Sequence, residues 1–225
     1  MPLPEEAFLP VPELTPLFIT IILSLTLIVM ALITTLHPQR STLMVKSVFV
    51  KQHFLQLLRN NDDINERLYL YMIIIACTIE ALAFHYIISY FQIPAFTDYT
   101  PEIKFSIGLG TFALYYITYF SAISLINWLF EHQEINKAHI FNNILHHFTA
   151  SLFLFPFLSL TCYNAKINLS ILMLIIWACF YILLIYKQLI LYIKNIGLFY
   201  FFLYFCTTEI LPVLIIGKLY FVLGK

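Results

Sequence analysis

The chain has 225 residues, of which 61% are hydrophobic and only 11% charged. Soluble domains carry roughly a quarter charged residues, so this composition excludes a water-soluble globular fold and points to a chain built for a lipid bilayer. The formal net charge is zero, which implies no basic surface for nucleic acid, and no segment is long and polar enough to hold a site in a soluble domain.

Residues 1–16, MPLPEEAFLPVPELTP, carry three Glu and no Lys or Arg. A signal peptide needs a basic leading segment. The apolar run that follows is therefore read as a retained transmembrane helix, and residues 1–16 as a short extracytoplasmic tail. Crossing the hydrocarbon core takes about 20 apolar residues. Six runs meet that length, at about 17–36, 67–91, 105–130, 140–163, 167–192 and 196–222. The predicted fold is all-α: a polytopic transmembrane helix bundle of about six spanning helices, forming a single domain over 17–225. The breaks at Lys166 and at Lys187 to Asn195 are short, which predicts tight antiparallel hairpins at the end of the chain.

The longest break is 37–66. In it Leu43, Val50, Phe54, Leu57 and Leu58 recur at helix-like spacing, with Lys46, Lys51 and Arg59 between them. This pattern suits one amphipathic helix lying in the cytoplasmic interface, or a helix packed against the bundle. Orientation follows the basic residues. Arg40, Lys46, Lys51, Arg59, Arg67, Lys137, Lys187 and Lys194 fall on one side, which makes eight of the twelve Lys and Arg. Both termini are thus expected outside the cytoplasm. The four cysteines, Cys77, Cys162, Cys179 and Cys206, form no CxxC pair and read as small buried apolar residues.

Ionisable groups at membrane depth are expensive and mark functional candidates. Glu80 lies near the centre of the second run and Glu209 at the centre of the sixth. At matching depth two carboxyls can share a proton, relay protons or hold a cation. The structural alternative is a protonated Glu hydrogen-bonded to a neighbouring helix. Pro212 leaves the carbonyl of Thr208 without its helical donor, so CTTEILP places a free carbonyl, threonines and a carboxyl at one kink. Pro156 would similarly free the carbonyl of Leu152. Tyr115, Tyr116, Tyr119, Ser121, Ser124 and Asn127 either line a polar seam opposite the two Glu or make ordinary helix contacts.

HIFNNILHHF, from His139 to Phe148, holds three of the seven histidines. His139, His146 and His147 are the candidate metal ligands, with His132 a further seven residues upstream of His139. On straight helices rising about 1.5 Å per residue, His147 lies roughly 7 Å to the cytoplasmic side of the membrane centre, and His85 roughly 9 Å to the other side. Ligand bonds near 2 Å cannot close that gap, and no HExxH spacing is present. These histidines are therefore expected near the cytoplasmic interface or hydrogen-bonded within the bundle. No metal, no cofactor and no catalytic residue is predicted. No nucleophile–base pair or phosphate-binding loop occurs.

NIGLFYFFLYFCTTEILPVLIIGKLYF, from Asn195 to Phe221, resembles the end of an uncharacterised bacterial integral membrane family, domain of unknown function 4271, found in Bacteroidota. Its members close with an aromatic-rich helix, a central Glu, a Pro about three residues later and then a Lys, here Glu209, Pro212 and Lys218. NKAHIFNNILHHFTASLFLFPFL resembles the family's penultimate polar loop and its helix with a late Pro, here Pro156. The paired histidines are not part of the resemblance. The resemblance implies a bacterial inner-membrane location and brings no reaction. The leading expectation is a non-enzymatic component or assembly factor of a membrane or envelope complex, with the lipid bilayer and other membrane proteins as partners. The alternative is a small proton-linked transporter using Glu80 and Glu209, and the third is a membrane-embedded metal or lipid enzyme.

Overall fold

The computed structural model describes residues 17–59, 66–93, 96–130, 133–164 and 169–195, with isolated positions 206, 210, 214 and 218 beyond them. Among the described residues the chain is all helical: α1 (Leu17–Leu36), α2 (Pro38–Phe49), α3 (Lys51–Arg59), α4 (Glu66–Phe91), α5 (Pro101–Phe130), α6 (Gln133–Tyr163) and α7 (Ser170–Asn195). Five of them, α1, α4, α5, α6 and α7, are long and apolar enough to cross a membrane. They coincide with the first five predicted runs. The sixth run, with Thr208, Glu209 and Pro212, lies outside the described residues.

The helix ends follow local chemistry. Pro38 and Pro101 open α2 and α5, where a missing N–H costs nothing and the fixed φ suits the first turn. Glu102 adds a negative charge to the first turn of α5, at the positive end of its dipole. After α4, Gln92 takes a left-handed φ of 46°, the usual way to end a helix. The amphipathic stretch after α1 is two helices, where the sequence pattern suggested one. Val50 is extended between them, with its N–H still bonded to the Lys46 carbonyl. The break leaves Phe49 and Val50 exposed and turns Met44, Ser47, Val48, Phe54 and Leu57 inward. Of the two sequence-level readings, this inward face supports packing against the bundle.

Burial decides the layout. The spans of α4 and α6 are 61% buried, against 28% for α1 and α5 and 22% for α7. α4 touches α1, α5, α6 and α7, while α6 touches α2, α4, α5 and α7. The centre is thus an α4–α6 pair with the other helices around it. On α1, Leu17, Ile21, Leu25, Ile28, Leu32 and Leu36 form an exposed stripe, while Ile19, Leu23, Thr26, Met30 and Ile33 face the core. Spacing of three and four residues on each stripe is the helical period. An apolar stripe of this length would be an aggregation surface in water and suits contact with hydrocarbon. Cys77 and Cys162 are buried as expected, but Cys179 is exposed on the outer face of α7.

Gly108 sets the separation of α4 and α5. A Cβ there would meet the Ala81 carbonyl oxygen and Phe84 Cδ1, both at 3.1 Å. Small residues let membrane helices approach closely where no hydrophobic drive holds them together. Gly108→Ala is therefore expected to lower stability by about 1–3 kcal/mol through overpacking. Gly110→Ala, which meets nothing within 4 Å, should be neutral or slightly stabilising. Unfolding of the two purified variants in detergent distinguishes them. Equal midpoints would remove Gly108 from the interface.

A buried acid–imidazole pair as candidate functional site

The central pair of helices meets at a polar centre. On α6, His139, Asn142, Asn143, His146, His147 and Ser151 recur every three or four residues and are all buried. A stripe of this period runs along one side of a helix. Each of these side chains needs a partner, because an unsatisfied polar group in an apolar interior costs on the order of 1–3 kcal/mol.

Glu80 of α4 supplies the key partner. Its Oε1 lies 2.8 Å from His147 Nδ1, with both side chains buried. Tyr115 and Tyr116 of α5 flank the same imidazole, each with its ring centre 5.5 Å away. Asn143 Nδ2 donates to Tyr115 Oη at 3.2 Å. One turn further along α5, Tyr119 stacks on His139 at 5.7 Å and on Tyr115 at 5.8 Å. Of the predicted tyrosine seam, Tyr115, Tyr116 and Tyr119 thus line this centre. Ser121 and Ser124 are exposed on the other side of α5.

His146 is held differently. Its Nδ1 lies 2.8 Å from the Asn142 carbonyl oxygen. A backbone carbonyl only accepts, so the ring nitrogen facing it must carry the hydrogen. In the neutral ring, Nε2 then presents a lone pair. Among the described residues, His146 Nε2 and Glu80 Oε2 have no hydrogen-bond partner, and both side chains are buried. Both residues line one small, partly open cavity of about 10 Å³ between α4, α6 and α7, together with His147, Ala150, Trp177, Phe180, Tyr181 and Leu184. One turn beyond Leu184, Lys187 Nζ donates to the Ser47 carbonyl at 2.9 Å. A cation at the carboxyl-terminal end of α2 complements that helix's dipole. Lys187 therefore lies inside α7 and ties it to α2, where the sequence had placed it in a loop.

Of the two places expected for the histidines, the structure supports the second: His139, His146 and His147 are buried within the bundle, with His146 and His147 hydrogen-bonded there. α6 begins at Gln133, earlier than the predicted 140. The Glu80 contact sets His147 level with Glu80, near the middle of α4. His139, eight residues earlier on α6, lies about 12 Å along the helix from it. His85 stays apart as expected: it is about 7 Å further along α4, its ring packed on Tyr86 at 5.1 Å. Among the described residues no three His, Cys, Asp or Glu side chains are grouped to hold a metal ion. His146 and His147 are adjacent on one helix and so point about 100° apart. Glu209, proposed from sequence as the partner of Glu80, lies outside the described residues with Thr208 and Pro212.

An all-helical membrane protein with an acid–imidazole pair at its centre is the class that fold and site define. The chain belongs to the family described as Domain of unknown function (DUF4271), which it matches over residues 19–220. No curated protein and no solved structure matches it.

Proposed function

We propose that this chain is a proton-handling membrane protein in which Glu80 and His147 bind a transferable proton. The observation that carries this reading is the 2.8 Å contact between a carboxyl and an imidazole, both buried between the two central helices. One proton makes the pair neutral overall, as carboxylic acid with imidazole or as carboxylate with imidazolium. A second proton, or none, would leave a net charge at membrane depth, which costs several kcal/mol. Proton arrival at the pair is therefore tied to proton departure. Exchange of this kind is what a proton-linked carrier or relay requires. The adjoining cavity is the size of about one water, which favours the proton itself over a bulky solute as the species handled at this centre.

Within that reading, a subunit of a larger membrane complex that uses the pair as a proton relay or sensor is as well supported as a solitary carrier. The distribution of Lys and Arg supports an orientation with both termini extracytoplasmic.

Infrared difference spectroscopy of the full chain in bilayers, swept between about pH 5 and 8 where imidazole chemistry operates, tests the reading. Wild type should show coupled carboxyl and imidazole changes, and Glu80→Gln should lose both while accumulating normally. If neither signal changes in wild type across the sweep, the pair is a static hydrogen bond between helices and the proposal fails.

A further inference from the structure

The geometry points to a water bridge from Glu80 Oε2 to His146 Nε2 in the cavity between α4, α6 and α7, making His146 the next proton carrier after the Glu80–His147 pair. This inference rests on the reading of that pair given above. Both atoms are buried and without a hydrogen-bond partner among the described residues, and both residues line the same cavity. A cavity of about 10 Å³ with polar partners is at the size where one water is held, and such a water needs at least two partners. The His146 tautomer set by Asn142 supplies an acceptor, and a carboxyl oxygen supplies the second partner in either protonation state. Ala150, Phe180 and Leu184 supply apolar wall beside these two atoms.

The transfer balances without a further reactant. The Glu80 O–H bond breaks as an O–H bond forms on the water. The water's own O–H bond to His146 breaks as an N–H bond forms at Nε2. His146 is then imidazolium, and the Glu80 carboxylate stays hydrogen-bonded to His147. The titratable groups near His146 are Glu80 on α4, His147 on α6, and Tyr181 and Lys187 on α7. Lys187 is one turn beyond the cavity wall and bonds the Ser47 carbonyl.

Nitrogen-15 labelling of the histidines in the full chain, in bilayers, tests the bridge through magnetisation transfer from water. In wild type a cross-peak from bound water to His146 Nε2 is expected. Ala150→Val, which adds two methyl groups to the cavity wall and alters neither polar partner, should abolish it while the His146–Asn142 hydrogen bond persists. Should that variant not assemble, Ala150→Ser puts a hydroxyl in the same space and should displace the water likewise. Absence of the cross-peak in wild type overturns the inference, as does its survival in the Ala150 variant that assembles. Failure of the proposed function is read separately, in a Glu80–His147 pair that does not respond to pH.

Discussion

His147→Leu is expected to destabilise the bundle by about 3–5 kcal/mol, the cost of stranding one member of a buried ionic pair. Glu80 would keep a buried carboxyl with Oε1 newly unpartnered beside Oε2, which already lacks a partner among the described residues. The double variant Glu80→Leu/His147→Leu removes both polar groups and should regain most of the loss, because an apolar pair of similar size needs no hydrogen bonds. Reversible unfolding in mixed micelles measures the cycle. The size of the coupling also separates two states of the pair. Neutral interhelical hydrogen bonds in membranes average about 0.6 kcal/mol, so a coupling near that value means a carboxylic acid bonded to a neutral ring. A coupling of about 2 kcal/mol or more means a carboxylate facing an imidazolium, which is stronger in low dielectric. Additive single losses would show that the two residues do not act together, and would remove the physical basis for the proton reading.

Phe141→Ala should carry the second large effect, about 3 kcal/mol or more, from the lost contacts and the cavity left behind. The ring is 2% exposed. It stacks on Phe54 of α3 at 6.0 Å and meets Tyr69 of α4 edge-on at 5.7 Å. It is therefore the joint that holds the short α3 helix to the central pair. At nine residues α3 is too short to persist alone. Its release should accompany the stability loss and show as faster proteolysis after Lys51 in the variant. Unchanged cleavage there would mean that α2 alone anchors the segment.

Several features were set by the sequence alone. Length, apolar content and run spacing determined a helical membrane bundle, because unpaired backbone groups in hydrocarbon leave few other folds open. The first five runs coincide with helices for that reason, and Glu80 stood out because a charge in an apolar run is costly wherever it points. Local rules fell short at α6. HIFNNILHHF looks like a polar loop boundary, since polarity alone does not tell a solvated helix end from a buried stripe. The three-and-four spacing of His139, Asn142, Asn143, His146 and His147 was the signal available, and it becomes a core only because α4 and α5 bring Glu80, Tyr115, Tyr116 and Tyr119 against it. The tertiary structure alone decided that Glu80 pairs with His147, that Lys187 ties α7 to α2, and that a cavity lies beside the pair. Each joins residues far apart in the chain, Glu80 with His147 and Ser47 with Lys187. Such contacts depend on which helices become neighbours and on where each begins, and a start placed some seven residues late on one helix shifts its midpoint by about 5 Å.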